Sequence, residues 1–311
     1  MLKIIVLIVI LMALVSTWLI PLGINMNDTS DPAFEFVERL SKELSNDNFD
    51  LPAFPETALM IQEAMKDPNV SIDSLSTMVL TEPMLAARLM RLANSAMMQR
   101  GTHEITDIKT AISRIGLNMV QTASVSLAAN KVFKAPSGSL LKKHLTKARK
   151  HSVKVCTLAY ILARKVDCSS DPDVAMLAGL LHAIGKFYIL SRVDAYPKLL
   201  DNEEALESLM NEWHTGVGRA IVEHWGFSEQ IVEAVDEHEV IDRAKFGQAD
   251  TTDIIIVANL LAKPKNADST EEIELDGIPS LSRMKTDGDS LRNLIKDSED
   301  ELNSMTQAFA S

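Results

Sequence analysis

The stretch Ala178-Gly-Leu-Leu-His182-Ala183-Ile184-Gly185-Lys186 carries one imidazole and one ammonium group in a run that is otherwise small and apolar. Such a run suits a helix packed inside a protein, and it leaves two readings of His182. Either it is a buried histidine bonded to a backbone carbonyl, or it is one ligand of a cation gathered by several helices. Lys186, near the C-terminus of that helix, suits the negative end of the helix dipole.

Four of the seven histidines lie in segments with apolar residues at helical spacing. They are His151 in KHSVKVCTLAYILA, His182, His214 in EWHTGVGRAIVEHWG and His238 in IVEAVDEHEV. The rest of the chain has the same texture. Aromatic residues make up only 5%, Leu, Ala, Met and Ile recur at three- and four-residue steps, and alternating β-branched runs are scarce beyond the N-terminus, so an all-α fold is predicted. At 311 residues and 46% hydrophobic content the chain can bury a sizeable core. A formal charge of −12 argues against a nucleic-acid partner, because binding to phosphate backbones relies on a basic footprint. Cys156 and Cys168 show neither zinc spacing nor a disulfide framework, which reads as reduced thiols in a cytoplasm.

Residues 4–24 contain no charge, and 21 helical residues span ~30 Å, the thickness of a hydrocarbon core. Residues 1–26 therefore read as an uncleaved membrane anchor in preference to a signal peptide, since no A-x-A site follows. Lys3 before the segment and Asp28, Asp31, Glu35 and Glu38 after it weakly favour a domain outside the cytoplasm. Translation from Met26 would leave a soluble chain. In residues 27–50, Pro32 and the face formed by Phe34, Phe36, Val37, Leu40 and Leu44 predict a lead-in helix. Pro55 and Pro83 read as helix starts and Gly116 as the left-handed residue after a helix end. KAPSGSLLKK at 134–143 reads as the connector between two helical subdomains. Beyond Lys263 a polar, acidic loop is expected, followed by one amphipathic helix through Leu291, Leu294, Ile295, Leu302 and Met305 that docks on the core.

Residues 51–262 resemble the HDOD domain, the HD-related output domain of bacterial signalling proteins. The resemblance is carried by LPAFPETALMIQEAMKDPNVSIDSLSTMVLTEPMLAARLMRLANSA, ITDIKTAISRIGLNMVQTASVSLA, HSVKVCTLAYILA, AGLLHAIGKF, HTGVGRAIVEHWGFSEQIVEAVDEHE and VANLLA, in that order. It implies a multi-helix bundle and a metal site of the HD type, with His151, a His-Asp pair at 182–183, His214, His238 and a final Asp at 259. Here the two carboxylate positions hold Ala183 and Asn259, so the implied site has lost both of its acidic ligands. Lys186 would meet a substrate phosphate in an active relative. Glu239 falls where HD-GYP relatives carry a second His, so it could in principle ligate, though a solvated charge is the favoured reading; His224 matches no ligand position and is expected to face solvent; His103 and His144 belong to no constellation.

Two functions follow from the resemblance. One is a non-catalytic signal-transduction module acting through a signalling protein partner or a small ligand. The other is a metal-dependent phosphohydrolase with a His-rich site, acting on a nucleotide or cyclic dinucleotide. Loss of the carboxylate at 183 removes the bridge that a two-metal mechanism needs and favours the first. No cofactor is expected on that reading, and Mn, Fe, Mg or Zn held by His151, His182, His214 and His238 is the alternative. The family's role implies a cytoplasmic domain, attached to the inner membrane through residues 4–24.

Overall fold

The computed structural model describes residues 36–40, 42, 54–95, 98, 104–133, 140–263, 275 and 277–310. Among them the chain is helical throughout, with one isolated bridge between Cys168 and Ala249 and no strand. The anchor, most of the lead-in helix, His103 and the centre of the connector lie outside the described residues. Residues 36–40 are helical, and Phe36 and Leu40 are buried, with the Phe36 ring edge-on to Tyr196 at 5.2 Å.

Before residue 134 lie α1 (Glu56–Ala64), α2 (Ile72–Leu80), α3 (Pro83–Ala93), α4 (Ile108–Ile115) and α5 (Leu117–Val132). Local chemistry sets their boundaries. Ser71 and Asp107 accept from the backbone N–H groups of Ser74 and Thr110, which satisfies otherwise orphaned donors at the starts of α2 and α4. Pro83 occupies the first turn of α3, and Gly116 takes φ of 87° to turn the chain between α4 and α5, as expected.

The half of the chain that carries the four histidines is organised on α6 (Leu140–Lys165), against which α7 (Pro172–Leu181) and α12 (Thr251–Ala262) pack. Between these lie α8 (Ile184–Arg192), the short α9 (Pro197–Leu200), α10 (Glu203–His224) and α11 (Glu229–Glu237). The helix α6 begins inside the predicted connector, because residues 140–143 already form its first turn. The run Pro172–Arg192 has the length and apolar character of a membrane span, yet it is mostly buried and breaks into α7 and α8. It forms part of the buried core.

The last region corrects two expectations. Part of the supposed loop after Lys263 is α13 (Pro279–Arg283), pinned because the carboxylate of fully buried Asp253 takes Ser280 Oγ and the Arg283 guanidinium as partners. The expected single amphipathic helix is two, α14 (Gly288–Asp297) and α15 (Glu299–Ala310), broken at Ser298. The break lets α15 lie across α6 and α3 with Met305 and Phe309 buried.

Candidate metal centre

Four helices deliver one imidazole each. His151 lies within α6, His182 caps the C-terminus of α7, His214 is in the middle of α10, and His238 caps α11. The rings form a chain, with centroids 5.2 Å apart for His151 and His182, 5.0 Å for His182 and His238, and 5.1 Å for His238 and His214. Glycines allow the helices this close. A Cβ on Gly179 would stand 2.9 Å from Cys156 Cα, and one on Gly218 would stand 2.8 Å from Val235 Cγ1.

The backbone decides the tautomers. Nδ1 of His182 lies 2.7 Å from the Gly179 carbonyl, Nδ1 of His214 2.8 Å from that of Met210, and Nδ1 of His238 2.8 Å from that of Val235. A carbonyl oxygen only accepts, so each Nδ1 carries the proton and each neutral ring presents an Nε2 lone pair. Both expectations for His182 therefore hold at once: it is buried and bonded to a backbone carbonyl, and it belongs to the cluster. Burial disfavours the charged form of all four rings. It holds His182 well below the ordinary range and pushes His214 down to about 2 and His238 to about 4, against the opposing pull of Glu239 on His238. His151 is lowered by the same cause, with Lys186 adding to it.

Asn259 on α12 joins this group. Its Oδ1 accepts from His151 Nε2 at 2.8 Å, and its Nδ2 donates to Glu239 Oε1 at 3.1 Å. Ala183 is buried in the turn between α7 and α8, at φ −99° and ψ 15°, and offers no donor atom. The residues do not fit an HD centre with acidic ligands at 183 and 259. One position has no oxygen, and the other has a neutral amide already engaged on both sides.

Three expectations change. Glu239 is no free solvated charge: its side chain is 35% exposed, and Oε1 lies 3.8 Å from His238 Nε2 and 3.9 Å from His214 Nε2. Burial works against its ionisation, but His238, Lys263 and the Asn259 amide together keep its carboxyl below the ordinary range. The only sequence signal for this was its place one residue after His238, where α11 has ended and the chain turns back on the cluster. Lys186 belongs to the first turn of α8 and not to a helix C-terminus, and its half-buried ammonium faces the histidines and Glu239. His144 is buried with Nε2 3.7 Å from Glu203, and Glu207 stands beside them, so it does have neighbours; Lys143 and Lys147 pair with those two carboxylates. His224 is exposed, as expected.

Helices that each bring one imidazole to a common buried point define an all-helical domain of the HD type. The HDOD domain family model matches residues 51–241, and the chain belongs to the HDOD family. Asn259 and α12 lie beyond the matched residues. An uncharacterised protein of Treponema pallidum (strain Nichols) is 23% identical over 218 residues, 66% of this chain, and the chain spans 41% of that relative's length. Among solved structures, a protein of Shewanella amazonensis SB2B provisionally described as a metal-dependent phosphohydrolase aligns with a TM-score of 0.71 at 23% identity, covering 89% of this chain and 99% of its own. An HDOD domain protein of Geobacter sulfurreducens gives 0.64 at 24%, covering 91% and 98%. A Marinobacter aquaeolei VT8 protein provisionally assigned to signal transduction gives 0.59 at 16%, covering 90% and 67%. At these identities the likeness establishes the fold alone.

Proposed function

We propose that this chain is a regulatory HDOD module that binds a protein partner or a small ligand and does not hydrolyse phosphoesters. The observation that carries this is the Asn259 amide, which spends its oxygen on His151 and its N–H on Glu239. With Ala183 opposite, the cluster has no carboxylate pair to bridge two ions and generate hydroxide between them. Lys186 places a cation at the edge of the cluster, which suits a small anionic ligand. The module works in the cytoplasm, tethered to the inner membrane through residues 4–24.

The test is steady-state turnover of bis(4-nitrophenyl) phosphate, nucleotides and cyclic di-GMP with and without Mn²⁺. Rates at the buffer background are expected. A Mn²⁺-dependent rate that disappears in His151→Ala would replace this reading with that of a phosphohydrolase.

A further inference from the structure

We propose that His214, His238 and Glu239 form a site for one divalent transition ion, which keeps two imidazoles of the implied HD set and takes the Glu239 carboxylate in place of those missing at 183 and 259. The argument begins with two lone pairs. His214 and His238 both donate from Nδ1 to backbone carbonyls, so both Nε2 atoms are acceptors, and they face each other at 3.1 Å. Two acceptors at that separation repel unless a cation lies between them.

Glu239 completes the geometry. Its Oε1 is 3.9 Å from His214 Nε2 and 3.8 Å from His238 Nε2. The point equidistant from the three donors lies about 2.1 Å from each, which is the bond length of a transition ion to imidazole nitrogen and carboxylate oxygen. From that point the two nitrogens subtend roughly 95°.

The supporting contacts are those a metal site needs. Carbonyls of Met210 and Val235 fix the two rings, while Asn259 Nδ2 and Lys263 Nζ, at 3.1 and 3.6 Å, hold the Glu239 carboxylate. Two neutral imidazoles and one carboxylate favour Zn²⁺, Fe²⁺, Co²⁺ or Ni²⁺ over Mg²⁺ or Ca²⁺, which prefer all-oxygen shells. Asn259 then acts as a positioning residue for the one carboxylate that remains.

The full chain, stripped with a chelator, is titrated with Co²⁺, followed by its visible absorption, and competed with Zn²⁺ and with excess Mg²⁺. One Co²⁺ per chain is expected, displaced by Zn²⁺ and untouched by Mg²⁺. Glu239→Gln should weaken binding about 10-fold or more, and His151→Gln by less than about 3-fold. Because Glu239 is partly exposed, its glutamine variant should fold; X-ray absorption of the Zn²⁺-loaded wild-type chain reports two imidazoles and a carboxylate without any variant. Absence of stoichiometric Co²⁺, or a loss in His151→Gln equal to that in Glu239→Gln, overturns the proposal. The outcome is separable from turnover: an ion at this triad with no hydrolysis leaves the regulatory reading intact, and hydrolysis with the ion at the triad removes that reading alone.

Discussion

Gly185 packs so closely on the carbonyl oxygen of His214 that no β-carbon fits between them. This contact sets the distance between α8 and α10, and hence how far the α7–α8 turn carrying His182 stands from the ring of His214. Gly185→Ala forces a methyl group against backbone atoms that cannot rotate away. Overpacking of this kind costs roughly 1–3 kcal/mol, and the upper end is expected because the obstacle is main chain. Chemical denaturation followed by circular dichroism checks it, and an unchanged midpoint would show that α8 and α10 are free to separate.

Arg283 is the main partner of a carboxylate with no exposure to solvent. Arg283→Met removes the guanidinium from Asp253 while keeping the bulk, leaving Ser280 Oγ, the Asp250 backbone N–H at 3.2 Å and, at 3.8 Å, Arg243 Nη1 as companions. Breaking a buried pair from one side costs ~3–5 kcal/mol, and the lower end is expected here because Arg243 stays in reach. The same change should loosen residues 243–245, whose carbonyls Arg283 also holds, so hydrogen exchange in that segment should rise along with the loss of stability.

Much of this architecture was legible in local chemistry. Pro83 and Gly116 mark the boundaries they were expected to mark, and the four imidazoles stand in one cluster. What was not legible depends on distant contacts. Nothing in Leu181-His182-Ala183-Ile184 forbids a continuous helix; the break follows from Gly185 having to meet α10, some thirty residues later. Glu239 looked like surface charge because its partners, His214 and Asn259, lie on other helices. Arg283 lay in a stretch that read as a polar loop, and only the burial of Asp253 shows why it is held.

Asn259→Asp tests the amide bridge. A carboxylate 2.8 Å from His151 Nε2 would favour the imidazolium, so the pKa of His151, now lowered by burial, should rise by about one unit or more. The new charge would also face Glu239 where an N–H now donates, and that carboxyl should titrate higher than in the parent chain. Histidine NMR titration in the presence of chelator reads both effects. A His151 resonance that keeps its pKa would show that the bridge does not exist in solution.

Acid should destabilise this fold well before its carboxylates protonate. His182, His214 and His238 have folded-state pKa values below the ordinary value near 6.5, so between those values the unfolded chain binds more protons than the folded one. Their contribution is complete above pH 6.5 and is lost as pH falls, down to about 4 for His238 and about 2 for His214. Each such group adds up to about 1.4 kcal/mol per pH unit inside its window. Urea midpoints measured with chelator at pH 7.5, 6 and 5 should therefore fall with steepening slope, and His214→Gln should flatten that slope. Midpoints that stay level from pH 7.5 to 5 would mean that these rings are already charged, or open to solvent, in the folded protein.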